Sequence, residues 1–324
     1  MDRFQPAIPA DAFAGLSPTS IAWLDEDTTR TTGIDSHAHI FVQGLPLAAQ
    51  RRHAPDYDAT LDQYITQLAA HGMSHGVLVQ PSFLGTDNSF LSAVCARFAS
   101  RFRGVAVVEP DIADADLEAL DAANIVGARL NLIGLPLPDF RERRWSFLLS
   151  RLNALRWHVE VQANSAELPL VLDPLLKHGC TVVVDHFGRP DARHGANDSG
   201  FRYLKSSASC GKVWVKLSAA YRSAGNSGGT ESGGALCSAL LESFGPERLV
   251  WGSDWPHTQH RHVIDYEGTV KALEQWIPDE TVRAKVLTTS ATELFRFFST
   301  SSSMHCNRGA GTVPIAQNDA RSLS

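Results

Sequence analysis

Short apolar runs rich in valine, isoleucine and leucine alternate along this chain with longer segments in which apolar residues recur at helical spacing. The runs number eight and cover residues 34–41, 76–82, 104–110, 126–132, 158–164, 181–186, 213–218 and 248–254. Each run has the length and the β-branched content of a buried strand. Their alternation with helical segments is typical of βα units arranged around a parallel sheet.

The segments between the runs carry apolar stripes along one side. Two of these stripes are Leu61, Tyr64, Ile65 and Leu68, and Phe147, Leu148, Leu152 and Leu155. Such spacing predicts amphipathic helices. Eight strands that are each followed by a helix predict a (β/α)8 TIM barrel. An open doubly wound sheet is the main alternative, but no Gly-x-Gly-x-x-Gly follows any run and no P-loop motif is present.

The barrel is assigned to residues 31–298, and the segments on either side of it differ in composition. Residues 1–30 contain prolines at positions 6, 9 and 18 without a sustained period, so we expect an N-terminal arm on the domain surface. Residues 299–324 are mostly polar, cannot bury a core and are predicted to be disordered. The first residues lack a basic segment followed by an apolar core, so no secretory signal is expected.

Composition and charge narrow the class of protein. The formal net charge is -6 and the pI is near 6.1, whereas a nucleic-acid-binding protein usually shows a basic face. No apolar run is long enough to span a bilayer, so no membrane partner is expected. The 5 cysteines lack Cys-x-x-Cys spacing, which predicts reduced thiols in a cytoplasmic protein. The sequence leaves the oligomeric state open, a homo-oligomer included.

Three of the predicted strands end in residues that can carry chemistry. His37 and His39 end the first, His186 ends the sixth and Asp254 ends the eighth. The carboxyl ends of barrel strands share one rim, where the active sites of such barrels lie, so these side chains are expected to meet. Residues at i and i+2 of a strand point to one face, so the two imidazoles of the first strand are expected to face one ligand. We interpret the four residues as catalytic, and as the ligands of a metal ion if a single ion is bound.

A second set of polar side chains is predicted inside the barrel near this rim. Strand alternation points Glu160, Gln162 and Asn164 inward, and it places polar pairs in three other strands. These pairs are Gln80 with Ser82, Arg129 with Asn131, and Lys216 with Ser218. Because barrel interiors are usually apolar, the set indicates a polar ligand. For Lys216, Glu160 and Ser218, a hydrogen-bonded structural network is an equal alternative.

Arginines near the rim indicate the charge of the substrate. Arg129 lies in the fourth run, and Arg189 and Arg222 follow the sixth and the seventh. A guanidinium matches a carboxylate with two parallel hydrogen bonds, so the three predict an anionic substrate such as a di- or tricarboxylate. The predicted substrate-binding residues are Arg129, Arg222, Arg189, Gln162, Asn164, Ser82, Tyr221 and His257. Most other histidines, His53 and His75 among them, are interpreted as solvated loop or helix residues.

Three segments carry a family resemblance. Residues 34–39 read Ile-Asp-Ser-His-Ala-His, residues 184–190 read Val-Asp-His-Phe-Gly-Arg-Pro, and residues 250–257 read Val-Trp-Gly-Ser-Asp-Trp-Pro-His. In this order they resemble the amidohydrolase superfamily and, more narrowly, its lactonase group, over residues 30–298. Within that group the chain looks most similar to the branches that act on pyrone dicarboxylates and sulfomuconolactones.

The resemblance implies roles for the rim residues. Asp254 matches the aspartate that activates the hydrolytic water, and the three histidines match residues that bind a metal ion or polarise the substrate carbonyl. Strand four reads Gly-Ala-Arg-Leu-Asn-Leu, without the group that bridges two metals in binuclear members, and Lys216 is on the wrong strand for that task. A two-metal site is therefore not expected. One Zn²⁺ or other divalent ion, and no metal at all, both stay open.

These implications predict a hydrolase that opens the lactone ring of a small carboxylated substrate, of the pyrone dicarboxylate or muconolactone type, in the catabolism of aromatic compounds. A sugar-acid lactonase is one alternative. Another is a zinc-dependent decarboxylase of the same superfamily, which shares the two histidines of strand one and the aspartate of strand eight. A non-catalytic anion-binding barrel is disfavoured, because an aspartate beside three histidines would repel a bound carboxylate.

Overall fold

The computed structural model describes residues 15–27, 30–223 and 229–297, with the backbone alone for residues 229–232. Eight parallel strands pair in chain order, from β1 to β8. They are β1 (Ile34–Ala38), β2 (His75–Val79), β3 (Phe102–Ala106), β4 (Ile125–Asn131), β5 (His158–Gln162), β6 (Val182–Val184), β7 (Val213–Leu217) and β8 (Leu249–Trp251). Each strand overlaps one of the predicted runs. The predicted TIM barrel is confirmed.

Helices fill most of the connections between the strands. In the described ranges they are α1 (Pro18–Asp25), α2 (Leu61–Ala70), α3 (Ser89–Arg97), α4 (Asp114–Ala122), α5 (Arg143–Ala154), α6 (Leu168–Lys177), α7 (Ser199–Ser206), α8 (Gly229–Phe244), α9 (Tyr266–Trp276), α10 (Glu280–Lys285) and α11 (Ala291–Phe295). Of these described helices, none is long and apolar enough to cross a membrane.

Helix α2 shows how the sequence builds the outer layer. The Thr60 hydroxyl accepts a hydrogen bond from the Gln63 amide, and the Gln63 side chain accepts one from the Thr60 amide. This reciprocal cap fixes the start of the helix. The residues of its predicted stripe are at most 2% exposed, because they pack between the helix and the sheet.

Helix α5 departs from its predicted stripe at one position. Leu148 and Leu152 are buried as expected, but Phe147 is 58% exposed. Trp145 and Leu149 are buried instead. Positions i and i+4 stack on one face of a helix, and Trp145, Leu149 and Leu152 share that face with Leu148. The apolar stripe therefore starts two residues earlier than predicted.

The barrel closes at a seam between its first and last strands. Ala38 forms a parallel bridge with Trp255, and the His39 amide donates to the Trp255 carbonyl over 2.7 Å. The buried Asp35 carboxylate accepts hydrogen bonds from the amide and the hydroxyl of Ser253, at 2.9 and 2.6 Å. A side chain therefore supplements the backbone bonds that join β1 to the segment after β8.

The lower part of the barrel interior is an apolar cluster that we call the lower plug. Its members are Ile34, Val77, Val79, Val105, Val126, Val183, Trp214, Val250, Ala291, Leu294, Phe295 and Phe297. The rings of His75 and His158 pack edge-on against Phe297 and Phe295, with centroids 4.8 and 5.5 Å apart. His75 is fully buried. Its interpretation as a solvated residue is wrong, because it is the first residue of β2 and packs against the plug.

The predicted N-terminal arm is described from residue 15 onwards, apart from residues 28 and 29, and includes α1. The Trp23 side chain is buried there and donates a hydrogen bond to the Met73 carbonyl over 2.9 Å. The Arg101 guanidinium lies 4.4 Å from the centre of the Trp23 ring. This part of the arm therefore packs on the barrel. Residues 1–14 and the predicted tail, 299–324, lie outside the described residues.

Candidate active site

The seam holds the ends of β1 and β8, with the predicted site residues His37 and Asp254, against each other. The Asp254 amide donates to the His37 carbonyl over 2.8 Å, and Asp254 has a positive φ of 61°. Gly252 lies so close to His37 that a Cβ added to the glycine would be 2.5 Å from the His37 Cβ. A glycine is therefore needed at position 252 for β8 to approach β1 this closely.

Three imidazoles converge on one oxygen of Asp254. The Nε2 atoms of His37, His39 and His186 lie 3.7, 3.8 and 3.9 Å from Asp254 Oδ1. Each of the four residues is at most 7% exposed. The structure thus brings together the four residues that the sequence places at the ends of strands one, six and eight.

The other oxygen of Asp254 is held by two neighbours. Oδ2 accepts hydrogen bonds from Nε of Arg222 at 2.8 Å and from the Tyr221 hydroxyl, and it lies 2.7 Å from Nη2 of Arg222. Burial raises the pKa of Asp254, but the positive charge of Arg222 outweighs it, so the pKa lies below its ordinary value. The carboxylate is therefore ionised at neutral pH. Among the described residues, Oδ1 has no hydrogen-bond partner.

The three histidines are neutral because they are buried. Burial lowers the pKa of His37 and of His39 to about 3, and it lowers the pKa of His186 well below its usual range. His39 Nδ1 lies 2.7 Å from the Val79 carbonyl oxygen, and His186 Nδ1 lies 2.8 Å from the Ser218 hydroxyl. These contacts fix the ring orientations of His39 and His186 so that their Nε2 atoms face Asp254.

Beneath the histidines lies a group of buried charges that we call the charged layer: Arg129, Glu160, Asp185 and Lys216. Lys216 donates a hydrogen bond to Glu160, and its Nζ lies 3.5 Å from Asp185 Oδ1. Arg129 contacts both carboxylates, at 3.4 Å from Glu160 and 3.1 Å from Asp185. Burial and the neighbouring Asp185 raise the pKa of Glu160 to about 7. The charged layer contacts the histidines through Lys216, whose Nζ lies 3.0 Å from His37 Nδ1.

A cleft of roughly 500 Å³ opens above Asp254. Its lining side chains are His39, Arg52, His53, Pro81, Ser82, Phe83, Arg129, Asn131, Gln162, His186, Arg222, Asp254, Thr258 and Gln259. Four of the predicted substrate-binding residues belong to this lining: Ser82, Arg129, Gln162 and Arg222. The cleft is therefore polar and rich in guanidinium groups.

The other predicted substrate-binding residues lie outside this lining. Asn164 is exposed and its side chain bonds to Glu167, because it caps a short 3-10 turn after β5. Tyr221 and His257 are buried beside Asp254, with the Tyr221 hydroxyl 3.3 Å from His257 Nδ1. Arg189 is half-buried, and burial followed by the charges of Arg222 and Arg52 lowers its pKa to about 10. Arg189 thus lies within electrostatic reach of the cleft arginines.

Six of the lining residues were not predicted, among them the basic pair Arg52 and His53. Both lie in the connection from β1 to α2, and Arg52 Nη2 lies 3.3 Å from the Asn131 side-chain oxygen. The His53 ring packs against Phe83 with centroids 5.8 Å apart. His53 is a half-buried loop residue, as its interpretation allowed, and it lines the cleft because this loop folds back over the barrel mouth. The loop has no period in sequence, and only its basic character, Arg51-Arg52-His53, gave a signal.

The convergent residues fit a single divalent ion. Three neutral imidazole nitrogens and one carboxylate oxygen are a ligand set that Zn²⁺ prefers. His37, His39 and Asp254 offer ligand atoms that all lie within 4.8 Å of one another, and so do His37, Asp185 and His186. In the described part of the chain, His37 Nε2 and Asp254 Oδ1 are buried without hydrogen-bond partners, as expected of atoms that face a ligand.

Comparison with known proteins agrees with this geometry. A family model described as amidohydrolase matches residues 34–297. The chain is 30% identical to the 2-pyrone-4,6-dicarboxylate hydrolase of Comamonas testosteroni over 275 residues, which cover 81% of this chain and 89% of that protein. The chain belongs to the amidohydrolase family.

Two solved structures are similar to this amidohydrolase over most of its length. One, from Pseudomonas putida and assigned as a 2-pyrone-4,6-dicarboxylic acid hydrolase, is 44% identical with a TM-score of 0.78 and covers 83% of this chain and 98% of its own. The other, from Acinetobacter baumannii with the same assignment and with citric acid bound, is 37% identical with a TM-score of 0.79 and covers 82% and 99%. The predicted family and a hydrolase of lactonase type are confirmed.

Proposed function

We propose that this amidohydrolase opens the lactone ring of a small substrate that carries carboxylate groups. The observation that carries the proposal is the state of Asp254. One carboxylate oxygen is anchored by Arg222 and Tyr221, and the other faces three neutral imidazoles. A carboxylate held in this way is oriented as a general base whose free oxygen can accept a proton.

The reaction adds one water across the ring ester. Asp254 Oδ1 accepts a proton from the water while the water oxygen bonds to the ring carbonyl carbon. The tetrahedral intermediate then collapses, the bond between the carbonyl carbon and the ring oxygen breaks, and the leaving oxygen takes the proton from Asp254. Because the pKa of Asp254 lies below its ordinary value, the base is already ionised at neutral pH.

The developing negative charge on the carbonyl oxygen needs donors close to Asp254. Imidazole N–H groups in a buried site are suitable donors, because they are oriented in advance and act in a low-dielectric setting. If a divalent ion is present, His37, His39, His186 and Asp254 would hold it, and it would polarise the same carbonyl.

The guanidinium groups of the cleft favour a substrate with carboxylates. Arg129, Arg222 and Arg52 line the cleft, and Arg189 lies near it. Arginine binds carboxylates with two parallel hydrogen bonds. The relative from Comamonas testosteroni is named for a dicarboxylate, and the Acinetobacter baumannii structure holds a tricarboxylic acid. We therefore propose a pyrone dicarboxylate or a carboxylated muconolactone as substrate, and a role in the breakdown of aromatic compounds.

An assay of ring opening tests the proposal. Purified protein is incubated with 2-pyrone-4,6-dicarboxylate, a muconolactone carboxylate and a sugar-acid lactone, and product formation is followed. The predicted result is turnover of the first or second compound. Turnover of the sugar lactone alone would replace the proposal by a sugar-acid lactonase, and release of carbon dioxide from an aromatic acid would replace it by a decarboxylase.

Asp254→Asn supplies the mechanistic arm of this assay. We expect kcat to fall about 10²–10⁴-fold, because the amide cannot accept the proton of the water. The matched control is Asp139→Asn, which removes an exposed carboxylate that pairs with Arg141 at the surface. An Asp254→Asn protein with wild-type kcat would show that the assigned base is wrong.

A further inference from the structure

His37 lies in β1 and His39 directly follows the strand, and their Nδ1 atoms make different contacts. His39 Nδ1 lies 2.7 Å from the Val79 carbonyl oxygen. His37 Nδ1 lies 3.0 Å from the Lys216 amine. Both rings are buried, and burial favours the neutral form of an imidazole. A neutral imidazole carries one proton, so the partner at Nδ1 decides where that proton lies.

For His39 the partner is an acceptor. A carbonyl oxygen can only accept a hydrogen bond, so His39 Nδ1 is the protonated nitrogen. Its Nε2 then carries a lone pair and faces Asp254 Oδ1 at 3.8 Å. One water with hydrogen bonds of about 2.8 Å can donate to both of these atoms at once. His39 is thus suited to hold the attacking water.

For His37 the nearest partner is a donor. The Lys216 ammonium has three donors and no acceptor, so a hydrogen bond between Lys216 and His37 requires an unprotonated Nδ1. The proton of His37 is then on Nε2, which lies 3.7 Å from Asp254 Oδ1. A hydrogen bond from this buried lysine therefore requires the tautomer of His37 that is opposite to that of His39.

Two carboxylates compete with Lys216 for this nitrogen. Asp185 Oδ1 lies 3.3 Å from His37 Nδ1, and Glu160 Oε1 lies 3.6 Å from it. Both contacts are longer than the 3.0 Å contact of Lys216. Lys216 is itself held by Glu160, so its ammonium is fixed beside the ring. The geometry favours the lysine.

We propose that Lys216 is a positioning residue that fixes His37 with its proton on Nε2, so that His37 and His39 carry their protons on opposite ring nitrogens. His37 then donates to the developing oxyanion, and His39 accepts from the attacking water. These two roles rest on the proposed lactonase function, whereas the assignment of the tautomers does not. A cation at His37 Nε2 requires the proton to move to Nδ1, where Asp185 becomes its acceptor.

The test is nitrogen NMR of protein labelled with ¹⁵N in its histidines, after metal removal by a chelator. Long-range proton–nitrogen correlations show which ring nitrogen carries the proton. His37→Gln and His39→Gln variants assign the two sets of signals. We expect His37 to be protonated at Nε2 and His39 at Nδ1. Protonation of His37 at Nδ1 in the wild-type protein would overturn the proposal.

A double variant tests the lysine. Lys216→Gln combined with Glu160→Gln removes the lysine together with the carboxylate that accepts its hydrogen bond, so neither group is left buried without the other. We expect the proton of His37 to shift wholly or partly to Nδ1, and kcat to fall about tenfold with little change in KM. The matched control is Lys212→Gln, which changes an exposed lysine directly before the same strand. An unchanged His37 signal in a folded double variant would show that Lys216 does not set the tautomer.

Addition of Zn²⁺ tests the tautomer of His37, and the lactone assays test the proposed function on which the catalytic roles rest. Addition of Zn²⁺ to the labelled protein is expected to move the His37 proton to Nδ1 if the ion binds at Nε2; persistence of the Nε2 proton beside bound zinc would contradict the coupling. Failure of all lactone assays would refute the lactonase function and the two catalytic roles, while the NMR result would still decide the tautomers.

Discussion

The upper and lower parts of the barrel interior contain the same kind of residue in two different settings. Both parts bury neutral histidines: burial lowers the pKa of His37, His39 and His158 to about 3. In the lower plug, His158 packs against Phe295 within an apolar cluster. At the upper end, His37 and His39 point at a carboxylate. A lowered pKa therefore does not mark a site; convergence on a shared reactive atom does.

The two parts also differ in how charge is tolerated. The charged layer buries Arg129, Glu160, Asp185 and Lys216, each in contact with an opposite charge. An unpaired buried charge would be strongly destabilising, whereas a paired one is retained at modest cost. The lower plug is apolar and gives rigidity without specificity. The buried charges of the upper part stabilise the fold less than apolar residues would, but they define the positions and protonation states of the site atoms.

The largest effect is expected when Asp254, in the upper part of the interior, loses the Arg222 guanidinium that holds it. In Arg222→Met, the Oδ2 atom of Asp254 loses two nitrogen contacts, and the carboxylate is free to turn away from the histidines. A misplacement of this kind costs about 10²-fold in rate, so we expect kcat to fall by about that factor. Steady-state kinetics on the lactone substrate measure it.

The control for this change is Arg193→Met. Arg193 is an exposed arginine that pairs with Asp191 on the surface. The Arg193→Met variant is expected to keep the wild-type kcat and KM. Equal kinetics of the two variants would show that the anchor of Asp254 has no role in the rate.

The dependence of stability on pH involves both parts of the interior. Because the folded-state pKa of His37, His39 and His158 is about 3 and the unfolded value is about 6.5, protons bind the unfolded chain first as the pH falls. The free energy of unfolding is thus highest above about pH 6.5 and falls as the pH is lowered towards 3. Each such histidine contributes about 1.4 kcal/mol per pH unit within that window. Urea unfolding at pH 7 and at pH 4.5 measures the effect.

Two histidine variants then distinguish the upper part from the lower. His158→Gln and His39→Gln are each expected to reduce the pH dependence of unfolding by about one proton. Only His39→Gln is expected to lower kcat, because His158 lies in the plug. A loss of activity in a stably folded His158→Gln protein would contradict the division of the interior into two parts.

The smallest effect is expected at the outer edge of the cleft. Arg52 is exposed, lines the cleft and bonds to the Asn131 side chain. In Arg52→Gln we expect KM to rise about tenfold with little change in kcat, because one charge-assisted hydrogen bond to a substrate carboxylate is lost. Arg51→Gln, at the neighbouring exposed position, is the matched control. A rise of KM in both variants alike would point to general charge attraction instead of a contact.

The strands and the convergence of the four rim residues could be predicted because they depend on local pattern and one rule of barrel geometry. Each apolar run identifies a strand, and the carboxyl end of each strand faces the same rim. These two rules were sufficient to predict that His37, His39, His186 and Asp254 lie close together. The polar positions of β5 followed from alternation: Glu160 and Gln162 both contact Arg129.

The remaining site residues depend on tertiary contacts that no period reveals. Arg52 and His53 reach the cleft through an irregular loop, and their position is set by Phe83 and Asn131, which are distant in sequence. Asn164 follows the alternation of β5 but leaves the barrel, because its side chain bonds to Glu167 in the turn after the strand. Local hydrogen bonding there overrides the strand pattern.

The seam between β1 and β8 has a consequence for biosynthesis. Asp254 and His37 are joined by a backbone hydrogen bond, yet most of the barrel is synthesised between them. A nascent chain holds the histidines early but cannot assemble the base until its last strand has docked on its first. Contacts of such long sequence separation form late in folding. Hydrolytic activity would therefore appear only when the ring of strands is complete. In a partly folded chain, Asp254 would not yet lie beside the histidines and could not activate a water molecule.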